Sequence, residues 1–166
     1  MINNSLPHLY QLSSRIKMTL FFIILNLLVG VGIGLYYLGD TTYLSIKGTS
    51  EHFIGSEVFD EFEIPEKYPK PISQLLTTTH NHILSLTFIF TIIGCIFYLN
   101  SIIIGKIKIL LIIEPFISVL TTFGGIWLLW FGYPLFIYLI IISGILMYTC
   151  FFIMVTIILY ELLLKK

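Results

Sequence analysis

Residues Met18–Leu38 read MTLFFIILNLLVGVGIGLYYL, 21 residues with no Asp, Glu, Lys or Arg among them. A hydrocarbon core about 30 Å thick is crossed by about 20 helical residues rising about 1.5 Å each, so this run predicts a membrane-spanning helix. Arg15 and Lys17 stand just before it, at the end of a mixed polar lead-in, residues 1–17. A cleaved signal peptide needs a shorter apolar core and a small-x-small cleavage site. Tyr36-Tyr37-Leu38-Gly39-Asp40 offers neither, and the expectation is an uncleaved anchor.

Three further apolar runs follow, read as spans over residues 80–104, 109–131 and 135–162, with a short basic tail at 163–166. Lys106 and Lys108 beside Gly105 mark one turn, and Gly132-Tyr133-Pro134 marks the next. Trp127, Trp130 and Tyr133 close the third run, as aromatic residues do at a membrane surface. With 57% hydrophobic, 16% aromatic and 11% charged residues over 166 positions, the chain has too much apolar surface for a water-soluble domain of this size. Its mean hydropathy of +0.98 agrees. The expected fold class is therefore all-α, an integral membrane four-helix bundle with a short acidic extracytoplasmic loop. Cys95 and Cys150 both lie in apolar runs and read as small buried residues; no CxxC pair is present. Nothing resembles a basic nucleic-acid patch.

The net charge of zero conceals a segregated distribution. In residues 39–79, Asp40, Glu51, Glu57, Asp60, Glu61, Glu63 and Glu66 oppose Lys47, Lys67 and Lys70, leaving −4. With four spans, Arg15, Lys17, Lys106, Lys108, Lys165 and Lys166 all fall on the opposite side from that loop. Because Lys and Arg near span ends are retained on the cytoplasmic side, both termini are expected there and the acidic loop outside. Within the loop, Thr41–Ile46 has the β-branched and aromatic pattern of a short strand or extended segment. Pro65, Pro69 and Pro71 stiffen the approach to the second span, and Pro71 suits an early helical position, placing a helix start near Ile72.

Membrane helices associate through small residues and hydrogen bonds more than through hydrophobicity. Small or polar stripes are therefore the expected packing faces: Asn26, Gly30, Gly34 and Tyr37; His80, Thr87, Thr91 and Gly94; Glu114, Ser118, Thr121, Thr122 and Gly125; Ser143, Met147, Cys150 and Met154. Gly30-x-x-x-Gly34 also suits self-association or docking onto a larger membrane complex.

Among residues able to carry chemistry, His80 and His82 stand where the polar loop gives way to the second span. Two residues apart on a helix is about 200°, so the pair serves different neighbours unless the helix is distorted. Zinc or copper needs three or four ligands, and Glu51, His52 and Glu57 are the supply on the same side. Haem b is a weaker alternative, because no second histidine faces His80 from another span. Glu114 is the acid embedded in a span, with Lys106 or Lys108, or water at the cytoplasmic edge, as its expected partner, and Glu161 reads as a surface residue beside Lys165. No GxSxG or HExxH motif is present, so no enzymatic reading arises.

At Glu51-His52-Phe53-Ile54-Gly55, Tyr68-Pro69-Lys70 and Gln74-Leu75-Leu76-x-x-Thr79-His80-x-His82 the chain resembles a group of four-span bacterial inner-membrane proteins of unknown function. The resemblance covers roughly residues 50 to 165. It implies a periplasm-facing His-x-His site and an association with respiratory or metal-handling membrane systems. The expectation is a small integral membrane protein serving as an accessory or structural subunit, with a metal- or haem-binding protein as the alternative.

Overall fold

The computed structural model describes residues 6–57 and 64–165. The acidic positions Asp60, Glu61 and Glu63 thus lie outside the described residues, as does Lys166. A single 3-10 turn, Leu9–Gln11, precedes α1 (Ser14–Thr42), α2 (Ile46–Ile54), α3 (Ile72–Tyr98), α4 (Gly105–Trp130) and α5 (Phe136–Leu163). No strand occurs among the described residues. Helices α1, α3, α4 and α5 contain 26 to 29 residues each and are apolar enough to cross a bilayer. The chain is a small integral membrane protein built as an all-α bundle.

Short turns force α3, α4 and α5 to run antiparallel to their neighbours, and α1 enters α2 and the loop at the end where α3 begins. One end of the bundle therefore collects Arg15, Lys17, Lys106, Lys108 and Lys165, while the other carries α2 and the loop. Helix α3 begins at Ile72, directly after Pro71, as the fixed proline φ favours. It ends at Tyr98, where buried Asn100 shapes the turn. The Asn100 side chain donates to Phe97 O at 2.6 Å and accepts the Ile102 and Ile103 N–H groups at 3.0 and 2.8 Å. Those are the bonds a turn needs when it is shielded from water.

Thr41–Ile46 is not extended, contrary to its β-branched pattern. Helix α1 continues through Thr42, the chain reverses at Tyr43 and Leu44 with φ of 52° and 48°, and Ser45 starts α2. The Ser45 hydroxyl accepts the Gly48 N–H at 2.9 Å, a cap that outweighs strand propensity in so short a segment. Gly48 is required here, since a Cβ at this position would lie 2.0 Å from Thr42 O.

The core lies among α3, α4 and α5. Phe90 of α3 meets Phe116 of α4 and Phe151 of α5 edge-on, with ring centroids 6.3 and 6.4 Å apart. Helices α4 and α5 form the tightest pair, with Gly125 so close to α5 that a Cβ would come within 2.9 Å of the Ile140 side chain. The predicted α5 stripe of Ser143, Met147, Cys150 and Met154 is buried. On α3 the expected polar stripe is displaced: His80, Thr87 and Thr91 are exposed, and Leu75, Leu86, Phe90, Ile93 and Phe97 form the buried face instead. Thr91 donates to Thr87 O of its own helix, so the stripe needs no neighbour.

Helix α1 is peripheral. Only 11% of its most apolar stretch is buried within the protein, against 33%, 44% and 39% for α3, α4 and α5. It packs inward through Ile24 and Val31, which turns Asn26, Gly30 and Gly34 away from the bundle. A Cβ on Gly30 or Gly34 would meet nothing within 4 Å. Among the described residues the small-residue face thus meets no other helix, contrary to its reading as a packing face within the bundle.

Candidate functional site

At the loop end, residues 64–70 fold back onto the end of α2. Ser56 N donates to Lys67 O at 2.9 Å, Lys67 N to Ser56 Oγ at 3.1 Å, and Lys70 N to Phe53 O at 3.1 Å. Gly55, at φ 83°, permits this return, because a Cβ there would sit 2.7 Å from Pro69. The fold-back brings the Lys70 ammonium to His52 Nε2 at 2.5 Å and over the Phe53 ring at 4.8 Å. An ammonium can only donate, so His52 accepts through the Nε2 lone pair and is the neutral tautomer protonated at Nδ1. Burial, with the added repulsion of Lys70 and Lys67, pushes the His52 imidazole down to about 4. Burial likewise lowers the Lys70 ammonium from its ordinary range.

This clasp extends to the spans. Trp130 Nε1 of α4 donates to Lys70 O at 3.0 Å, and Trp127 Nε1 donates to Thr79 Oγ1 of α3 at 3.0 Å. The two indoles, predicted as interfacial anchors, therefore also bind the loop and α3 to the end of α4.

The proposed metal ligands are distributed over this end rather than gathered. Glu51 pairs with Lys47 at 3.6 Å, Glu57 is exposed, and His52 is engaged by Lys70. His80 is exposed on α3. His82 donates from Nδ1 to Thr78 O at 2.9 Å and packs its ring 5.5 Å from that of Phe123 on α4. Among the described residues, no three His, Cys, Asp or Glu side chains come together as a group able to hold a metal. The physical reason is visible at His52: a lysine cation occupies the lone pair a metal would use.

Within the membrane, the polar groups concentrate where α4 meets α5. Thr122 and Ser143 share a hydrogen bond of 2.7 Å, and Ser143 Oγ also donates to Leu139 O at 2.7 Å. One turn back along α4, Ser118 Oγ donates to Glu114 Oε1, and the Cys150 thiol of α5 lies beside the same carboxyl. Glu114 Oε2 is buried without a partner among the described residues. The expected Lys106 or Lys108 partnership does not form, because Lys108 Nζ donates to Tyr98 O and Asn100 O at 3.1 and 2.7 Å, capping the end of α3.

Glu161 is a further correction, being fully buried instead of at the surface. Its Oε1 accepts Ser101 N–H at 2.8 Å and the Ser101 hydroxyl, and Lys165 Nζ lies at 3.5 Å. Lys165 also donates to Ser101 Oγ at 2.5 Å and sits 4.9 Å from the Tyr10 ring centroid. Glu161 thus ties the last turn of α5 to the α3–α4 turn.

Residues 32–166, from the middle of α1 to the last residue, match the model of the family Aq_1264_TM, described as a transmembrane helical domain. The chain belongs to that family. The match takes in all of α2 to α5, and with them the loop clasp, the α4–α5 seam and the Glu161 network. Neither a curated protein nor a solved structure gives a match to this chain.

Proposed function

We propose that the protein is an accessory subunit of a larger membrane assembly, held there by a spanning helix of another protein laid along α1. The single observation behind this reading is the outward face of α1. Asn26 lies twelve residues into the helix, about 18 Å from its start, near the middle of a bilayer. Its amide nitrogen donates to Phe22 O at 2.8 Å, but its side-chain oxygen accepts no bond among the described residues. An amide facing lipid at that depth is costly, and Gly30 and Gly34 on the same side let a partner backbone approach closely enough to satisfy it. The fitting partner is an apolar helix with small residues and a donor at the depth of Asn26.

In this reading the assembly sits in a bacterial inner membrane with both termini cytoplasmic. The gathering of Arg15, Lys17, Lys106, Lys108 and Lys165 at one end of the bundle supports that orientation. The test is native electrophoresis of mildly solubilised membranes, comparing wild type with a Gly30→Ile, Gly34→Ile double variant. Wild type should run within a complex well above any small multiple of its 19.1 kDa protomer, and the variant should leave that complex. A wild type that runs as a monomer, or only as a homo-oligomer of itself, refutes the accessory reading.

A further inference from the structure

We infer that Glu114 is a proton-binding site of the membrane interior, its carboxyl held in the α4–α5 seam as the neutral acid. Three observations carry the inference. First comes depth: Glu114 is nine residues into α4 and sixteen from its end, about 14 Å and about 24 Å along the axis. Second, the carboxyl is cradled rather than paired. Oε1 accepts from Ser118 Oγ, the Cys150 thiol is adjacent, and Oε2 is out of contact with water and without a partner. Third, among the described residues no cation pairs with it. The ion pairs formed among the described residues are Lys47–Glu51 and Lys165–Glu161.

The charged and titratable groups around the site can be named element by element. On α5 the facing group is Cys150, whose neighbours along the seam are Met147 and Met154. The pairs Trp127–Thr79, Phe123–His82, Phe116–Phe90 and Ile112–Gly94 run antiparallel along α4 and α3 and bring residues 90–95 of α3 to this level. Cys95 is the titratable group there, and His82 lies about two turns or more beyond. On α1, Arg15, Lys17 and Asp40 lie at the two ends of the span, and α2 lies beyond its far end. On α4 itself, Lys108 is committed to Tyr98 O and Asn100 O. A carboxylate in such surroundings is a charge held out of water with one hydroxyl donor and, among the described residues, no paired cation, which disfavours the ionised form. Taking up one proton removes that charge. Oε1 then acts as the carbonyl oxygen, accepting from Ser118, and Oε2 carries the proton.

A neutral acid in lipid has a defined reactivity. A hydrophobic carbodiimide adds across it: the carboxyl proton moves to one nitrogen, the carboxyl oxygen bonds to the central carbon, and the acyl group then migrates to nitrogen as a stable N-acylurea. Nothing is oxidised, reduced or expelled. The experiment uses the full chain in liposomes at neutral pH. Infrared difference spectra between wild type and Glu114→Gln should show the C=O stretch of a protonated carboxylic acid, lost in the variant and moved to higher wavenumber by Ser118→Ala. Dicyclohexylcarbodiimide should add one molecule per chain, located by mass spectrometry at Glu114. Absence of the acid band in wild type with an intact helical amide band overturns the inference, as does a band that persists in Glu114→Gln.

Discussion

Truncating Glu161 to alanine should cost the bundle about 2–3 kcal/mol, a large loss for a single side chain in the last turn of α5. The figure follows from what the carboxylate holds. Its charge-assisted bond from Ser101 N–H at 2.8 Å belongs to a class worth about 1.5–3 kcal/mol, and truncation leaves that turn N–H without its acceptor. Removing one partner of a fully buried ion pair costs about 3–5 kcal/mol, but Lys165 is 32% exposed and keeps Ser101 Oγ, so most of this second penalty is relieved by water. The turn bond therefore dominates over the ion pair. The order expected is Glu161→Ala above Glu161→Gln, at about 1 kcal/mol because the amide oxygen still accepts from Ser101, and above Lys165→Met, at under about 1 kcal/mol. Reversible unfolding in mixed micelles, followed by circular dichroism, measures all three. If Lys165→Met costs as much as Glu161→Ala, the ion pair carries the energy and the reasoning fails. If Glu161→Ala is within about 0.5 kcal/mol of wild type, the residue is not buried as described.

Two further outcomes concern the loop end. The unfolded chain protonates His52 through its ordinary range near 6.5, the folded chain only near 4, so the unfolded state binds more protons between these values and stability falls as pH drops through that window. The whole interval would correspond to about 3 kcal/mol. His52 is only half-buried, and solvent screening reduces the expectation to ~1 kcal/mol; amide protection factors at residues 52–56 and 67–70, taken relative to the intrinsic exchange rate at each pH, should fall on acidification in wild type and lose that dependence in His52→Leu. Gly48→Ala should destabilise the α1–α2 corner by about 1–3 kcal/mol, because its Cβ would meet Thr42 O at 2.0 Å; a melting temperature in micelles equal to wild type would refute the close approach.

The spans were legible because each depends on a long apolar run, whose meaning is independent of its neighbours. The start of α3 was legible for a similar reason, since the proline at position 71 acts on its own backbone. Faces were harder. Gly30 and Gly34 announce that a backbone can come close, without saying whether it belongs to the same chain, and Ile24 with Val31 in fact took the inward side of α1. Glu161 was misread because a carboxylate four residues from a lysine near a terminus is a common solvated pattern, and nothing local reveals that residues 99–104 fold over it. Likewise the Lys70 approach to His52 depends on a fold-back eighteen residues away, which no helical or strand period encodes.

The α3–α4 turn gathers the segment before α1 and the segment after α5. Leu9 N donates to Leu99 O at 3.1 Å, while Lys165 reaches Ser101 and lies against Tyr10. During synthesis these contacts stay open until the last turn of α5 has left the ribosome, so the α3–α4 turn is held only after all four spans have been made. A reporter fused flush against Leu164 would displace Lys165 from Tyr10 and Ser101, and tags intended to leave the native arrangement intact require a spacer there.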